Sequence, residues 1–448
     1  MINLFENYAA REIDLEYSLQ HSHQEHLTIV LQDNGFLPVH VISPIGFFTR
    51  MDMYKKTSKD KPRFFNELSL PAYWEIRGTG NGAEIYEGYK KKGNIFYSQR
   101  KGDYRLIQSV EWLNDSGRVR AVDLYNQNGR RFGRESYSDG EHALTSYFDL
   151  TGREVIIINH ILDTIQVNFN QKSYVFSDYT AFILFFLEVA QLPVENILYN
   201  HLGQPYFVTQ ALQVKYPEKM FEHVLFWQEE SKEMPGNMKG IFEAPKSSTA
   251  QIVVQNRGEY ERLKKQVASP SPIKMSYLGY LYHFKKEAAR GRHILIHTNS
   301  DQIEAIDYLI QELSNFHFHI SARTEMSEKL MRLEEFPNVS LYPNITSAEL
   351  ETLLLNSHFY LDINHGGELD NVVRQAFEHN LLLFSFAQTI HNSRVMNPQS
   401  IYENTDVKKL VENIKEDATT SEAYLNAIQA QRILAGQAKI EDYEEVLR

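Results

Sequence analysis

From residue 294 to 386 the chain alternates between two hydrophobic rhythms. Short apolar runs at 294–297, 316–320, 339–342, 359–363 and 381–386 have the length and the β-branched or aromatic content of buried strands. Between them, residues 302–313, 327–334, 347–355 and 372–377 place apolar side chains at helical spacing. Strand–helix alternation with short connections predicts a parallel, doubly wound sheet.

Residues 63–169 have a different texture. Gly117, Gly129, Gly140 and Gly152 follow one another at intervals of 12, 11 and 12 residues, and runs such as 118–125 and 154–158 lie between them. Asn-Gly and Asp-Gly pairs supply the positive φ of tight hairpins, so the segment predicts an antiparallel meander. The Gly-rich stretch Gly78-Thr-Gly-Asn-Gly82 lies between strand-like flanks, which makes it a hairpin turn of the same ladder and not a phosphate loop. Before the meander, 27–31 reads as a strand, Asn34-Gly35 as a turn and 39–43 as a second extended run. Residues 51–61 are polar and Lys-rich, a surface connection. After it, a helical period at 178–187 precedes α/β units at 196–199, 221–226 and 250–254, with a helix at 259–266 and a break at 269–272. From Asp406 the tail is helical and polar, without a further strand. The expected fold class is α/β. Residues 1–62 and 171–285 form one Rossmann domain, 63–170 a β-meander inserted into it, 286–405 a second Rossmann domain and 406–448 a helical tail.

Composition narrows the function. At 448 residues the chain exceeds what one core organises. Its net charge of −12 argues against wrapping nucleic acid, and the absence of cysteine excludes disulfides, thiolate metal sites and a Cys nucleophile. No window reaches 18 uninterrupted apolar residues, and the longest, 181–190, contains Glu188. The N-terminus lacks a basic segment followed by an apolar run, so a cytoplasmic location is expected. The 26 Tyr and 26 Phe suit either large cores or contacts with sugars and extended peptides.

Candidate chemistry concentrates where strands of the second sheet end, since ligands of open α/β sheets sit outside the strands' carboxyl ends. One end reads His297-Thr298-Asn299-Ser300-Asp301, where Ser300 or Asp301 can cap the following helix. No Lys or Arg occurs from Ile294 through Ala322, so a diphosphate would lack its cation. The other end reads Asp362-Ile-Asn-His365-Gly366-Gly367-Glu368 and leads into a helix carrying Gln375-Ala376. His21, His23 and His26 lack a carboxylate at ligand spacing and read as a solvated loop, while His317 and His319 share a strand face and pack. No nucleophile elbow is present.

The unit from Tyr360 to Phe386 resembles the donor site of retaining glycosyltransferases of the two-Rossmann (GT-B) type, which carry two glutamates there. Gln375 stands at the position of the ribose-binding glutamate, and Asn380-Leu381-Leu382 replaces the usual Gly-Leu-Pro. With Gly35-Phe-Leu-Pro38, the block 67–89 and Thr298-Asn-Ser-Asp-Gln-Ile303, the order of these features resembles the GtfB family. That family comprises the stabilising subunits of the bacterial O-GlcNAc transferase that modifies serine-rich repeat adhesins. The resemblance implies a GT-B-like fold with twin Rossmann domains and an inserted β-meander. It also implies a hetero-tetramer with a homologous catalytic subunit, GtfA-type, that binds UDP-GlcNAc. Such complexes serve the accessory Sec route at the cytoplasmic face of the cell membrane. No catalytic residue, metal or cofactor is then expected in this chain.

Thr298, Asn299, His365, Gly366, Gly367, Glu368 and Gln375 would form a degenerate donor site. The serine-rich adhesin acceptor would be gripped by meander aromatics, for which Tyr73, Trp74, Tyr86, Tyr89 and Trp112 are the candidates. Lys90–Lys92 is a candidate for peripheral contact with anionic lipid. Two alternatives remain open: an active glycosyltransferase using Glu368 as its sugar-facing carboxylate, and a scaffold that never touches acceptor.

Overall fold

The computed structural model describes residues 1–22, 26–51, 61, 63–78, 82–98, 105–244, 246–267 and 270–447. They form two compact units, Met1–Gly279 with Ile440–Arg448, and Tyr280–Lys439.

The first unit begins with β1 (Ile2–Phe5), all four residues of which are buried, and β2 (Leu27–Val30), paired in parallel with Ile2 opposite Leu27. A helix, Ala10–His21, connects them. Sequence patterning passes over β1, because four residues at a terminus are too few to show a period. The extended run expected at 39–43 reduces to a single bridge, Ile42 opposite Ile29. Ser43 then caps a helix, Pro44–Thr49, by accepting a hydrogen bond from Gly46 N at 2.8 Å, with Pro44 in the first turn. Ser-Pro is a helix-start signature, and here it ends the extended run.

Ten antiparallel strands follow in sequential order: β3 (Trp74–Gly78), β4 (Gly82–Glu87), β5 (Lys90–Tyr97), β6 (Ile107–Leu113), β7 (Val119–Tyr125), β8 (Arg131–Ser138), β9 (Glu141–Phe148), β10 (Glu154–Asn159), β11 (Thr164–Phe169) and β12 (Lys172–Phe176). The turn glycines behave as the spacing predicts: Gly129 has φ +72°, and a Cβ on it would fall 2.4 Å from Lys61 O. The expected hairpin between β3 and β4 is present as an antiparallel pair, while its tip, 79–81, lies outside the described residues, as do residues 52–60 of the expected Lys-rich connection. The meander's last strand, β12, ends at Phe176.

The chain then returns to the parallel sheet with β13 (Ile197–Tyr199), β14 (His223–Trp227), β15 (Thr249–Val254) and β16 (Lys274–Tyr277), giving the order β16-β15-β14-β13-β1-β2. Much of the phenylalanine content is core. Phe48 stacks on Phe185 (5.8 Å, 3°) and meets Phe182 and Phe169, binding the helices Pro44–Thr49 and Tyr179–Val189 to the meander. The final helix, Ile440–Val446, belongs to this unit through Tyr443 Oη donating to Gly279 O (2.7 Å).

The second unit is a six-stranded parallel sheet of β17 (His293–Thr298), β18 (His317–Ala322), β19 (Val339–Tyr342), β20 (Phe359–Asp362), β21 (Leu382–Phe386) and β22 (Ile401–Tyr402), ordered β19-β18-β17-β20-β21-β22. β22 is too short to be anticipated. The helix expected from 302 begins at Ile306 instead. Residues before it pair across to the end of β20: His365 N donates to Gln302 O, Ile303 bridges Asn364, and Ala305 takes a left-handed φ of 52°. The tail is helical as expected, with Val407–Asp417 and Ser421–Leu434.

Candidate functional site

The chain order of the second sheet reverses between β17 and β20, so a ligand crevice is expected at their carboxyl ends. Thr298 and Asn299 lie at one end and the loop from Asp362 to Glu368 at the other. The structure brings them together. Thr298 Oγ1 lies 2.8 Å from Asn364 Oδ1, Asn364 Nδ2 donates to Asn299 Oδ1 (3.2 Å), and Gly366 N donates to Asn364 Oδ1 (3.0 Å). A Cβ on Gly366 would run into Asn299 Oδ1, so any larger residue there displaces the Asn299 amide. His365 Nε2 pairs with Glu304 (2.7 Å), and Gly367 is exposed beside this network.

The two key side chains of the resemblance point inward. Glu368 Oε1 accepts from Val373 N (3.0 Å) and so caps the helix Val372–Glu378; burial raises its carboxyl pKa. Gln375, buried, donates from Nε2 to Asp370 O at 2.6 Å.

Four residues of the crevice escape sequence reasoning. Arg323, one position beyond the cation-free window, reaches the site, but its Nε donates to buried Asp370 (2.6 Å), which also faces His297 Nε2 (3.3 Å). Its Nη1 donates to Ile345 O (2.7 Å). Asp362 is 2% exposed and holds His391, whose pKa the hydrogen bond to that carboxylate raises to about 9. Asp362 carried a signal, as a carboxylate ending an apolar strand; His391, 29 residues on, carried none.

The acceptor candidates do not form one surface. Trp74 lies on the sheet face of Ile76 and Ile85, and Trp112 faces Gly93, which faces Ile85. Trp112 Nε1 donates to Asp123 (2.7 Å), and Lys92 lies over the Trp74 ring. Tyr86 is on the opposite face, under the Arg77 guanidinium, with its hydroxyl donating to Glu84 (2.8 Å). Tyr73 and Tyr89 stand fully exposed beside Trp74 and Lys90, at strand ends. Each lysine of 90–92 faces a carboxylate: Asp115, Glu84 and Glu87.

His317 and His319 pack as expected, donating or accepting with Ser340, Tyr342 and His293. His21 ends a helix rather than lying in a loop, stacked on Tyr17, because the helix extends to it; His26 is half-buried and His23 lies outside the described residues. Among the described residues no cluster of His, Asp and Glu could hold a metal ion, and no helix is long and apolar enough to cross a membrane.

Comparison with known proteins agrees with this architecture. The family model of the GftB/GlyA-F C-terminal domain matches residues 294–431, and those of the GtfB N-terminal, middle and third domains match 2–48, 74–177 and 179–266. The UDP-N-acetylglucosamine–peptide N-acetylglucosaminyltransferase stabilizing protein GtfB of Streptococcus agalactiae is 36% identical over all of this chain and 99% of its own length. Its namesake from Streptococcus gordonii is 36% identical over all of this chain and 98% of its own. A chain in the crystal structure of a GtfA/B complex bound to UDP and GlcNAc superposes with a TM-score of 0.92 at 35% identity, covering 100% of this chain and 99% of that one. The pneumococcal O-GlcNAc transferase GtfA in complex with UDP and GlcNAc shares the fold at a TM-score of 0.53 and 13% identity, covering 100% and 99%. With full-length identity at this level, a matching order of domains and a GT-B-like fold interrupted by a meander, the chain belongs to the GtfB family of peptide N-acetylglucosaminyltransferase stabilising proteins.

Proposed function

We propose that this chain is the non-catalytic subunit of a protein O-GlcNAc transferase. It pairs with a homologous catalytic subunit, keeps that subunit stable and binds the serine-rich acceptor polypeptide. The partner holds UDP-GlcNAc and attaches the first sugar to Ser or Thr. One observation carries the reading: the crevice that would take a nucleotide sugar spends its polar groups on itself. Gln375 is bound to Asp370 O, Arg323 to the Asp370 carboxylate, and Glu368 to a helix N-terminus. A diphosphate entering it would have to break a buried ion pair to gain its cation, which costs several kcal/mol. The proposed location is the cytoplasmic side of the cell membrane.

Parallel titration of the purified chain with UDP-GlcNAc and with a serine-rich peptide tests this. Peptide binding without nucleotide binding is expected, together with GlcNAc transfer only when the catalytic partner is added. Transfer by the chain alone would sink the reading.

A second reading, an active enzyme with a divergent donor site, draws on the half-buried Glu368 and its raised carboxyl pKa. It requires UDP-sugar affinity on the order of micromolar, about 8 kcal/mol, lost in Glu368→Gln. Gln keeps an oxygen for Val373 N, so the helix cap survives that substitution.

A further inference from the structure

The first unit contains a cavity of about 880 Å³ where the carboxyl ends of β1 and β2 meet the meander. Asn7 and Tyr8 after β1, and Gln32, Asp33 and Asn34 after β2, form its floor. Its wall is drawn from six consecutive strands, from Gln108 and Ser109 on β6 to Thr164 and Ile165 on β11. At roughly 4.8 Å between strands, five gaps span about 24 Å. That is the length of about seven residues of extended chain.

We infer that this cavity is where the chain grips an extended, hydroxyl-rich polypeptide segment free of acidic residues. The inference rests on the acceptor-binding reading above and names its site, which is not the set of meander aromatics Tyr73, Trp74, Tyr86, Tyr89 and Trp112. Three observations support it. No Lys or Arg lines the cavity among the described residues, whereas Asp33, Glu135, Asp163 and Asp178 do. Phosphorylated or acidic ligands are therefore repelled, while neutral or basic ones are not.

The wall carries hydrogen-bonding groups along its length, from Ser109 on β6 to Thr145 on β9. Thr145 Oγ1 lies 2.9 Å from the Nε2 atoms of both His142 and His160, whose rings are 3.9 Å apart. Two phenol rings, Tyr147 and Tyr179, supply apolar faces, and Tyr179 is held in place by its hydroxyl donating to Leu31 O (2.7 Å). Finally, these groups are distributed along the wall instead of converging on one point, which suits a strand-like ligand over a compact one. Side chains such as Ser and Thr match such a surface, each offering one donor and two acceptors.

The test uses the full chain and fluorescence anisotropy of a labelled Ser/Thr-rich peptide. Ser109→Trp and Ile158→Trp, on the sheet face of Tyr147 and Ile165, each add bulk to the cavity from a different strand, with residues that β-sheets accept. Binding at least about tenfold weaker is expected for both, with Tyr89→Ala unchanged. The same peptide with Asp in place of alternate Ser should bind at least about tenfold more weakly to the wild-type chain. Photo-crosslinking of a benzophenone-bearing peptide to the unsubstituted chain covers the case in which a Trp variant does not fold, and should map to β6–β11. Wild-type affinity in both Trp variants, or crosslinks confined to Tyr73 and Tyr89, would overturn the assigned site while leaving acceptor binding intact. Absence of peptide binding by the unsubstituted chain would overturn both.

Discussion

His391 binds Asp362 twice, through its ring Nδ1, 2.6 Å from Oδ1, and its backbone amide, 2.7 Å from Oδ2. Its Nε2 lies 2.7 Å from Gly366 O, so both ring nitrogens face acceptors and the ring is held as the imidazolium. The pair joins the end of β20 to the segment after β21 and fixes the glycine turn between them.

The raised pKa of His391, about 9 against an ordinary 6.5, makes this link pH-dependent. A cation stabilised in the folded state contributes fully below the ordinary value and is lost as pH rises through about 9. The shift sets a ceiling near 3 kcal/mol, and solvent access reduces it to about 2 kcal/mol. Urea unfolding of wild-type and His391→Gln should show the largest gap near pH 6 and a much smaller one near pH 10. A gap that does not change with pH would mean the ring is neutral.

Gln375→Glu is expected to leave the chain without transferase activity and to destabilise the second unit. The amide donor that now meets Asp370 O would be replaced by a carboxylate against a carbonyl, costing about 2–4 kcal/mol. Thermal unfolding and radiolabelled GlcNAc incorporation check the two halves. Measurable turnover would show that one side chain separates this crevice from a working one.

Asp370→Asn removes the carboxylate between Arg323 and His297. Breaking a buried pair should lower stability by about 3 kcal/mol. The guanidinium relieved of its counter-ion should raise affinity for UDP on the order of tenfold, measured by calorimetry. Unchanged affinity would locate the loss of nucleotide binding elsewhere in the crevice.

Gly366→Ala should cost about 1–2 kcal/mol, because the new methyl displaces Asn299 and its hydrogen bond from Asn364. In an Asn299→Ala background the same change should cost little. A double-mutant cycle in urea reports the coupling, and additive effects would contradict the contact.

Local patterning is enough to specify the strand–helix alternation of residues 294–386, the ladder of meander hairpins and the glycine turn after β20. These follow from local causes: period 2 against period 3.6, and glycines at positions that demand positive φ. It also marked Gln375 and the window without cations. What those residues do is set by long-range contacts. Whether Glu368 faces a sugar or caps a helix, and whether Arg323 serves a phosphate or Asp370, depends on partners brought together by the order of strands. Arg323 and Asp370 lie 47 residues apart in sequence and His297 and Asp370 lie 73 apart, yet all three meet because β17, β18 and β20 are neighbours. The faces of Trp74, Tyr86 and Trp112 were likewise set by cross-strand register. Buried polar groups must find partners wherever the fold brings them, and local sequence carries no record of which partner that is.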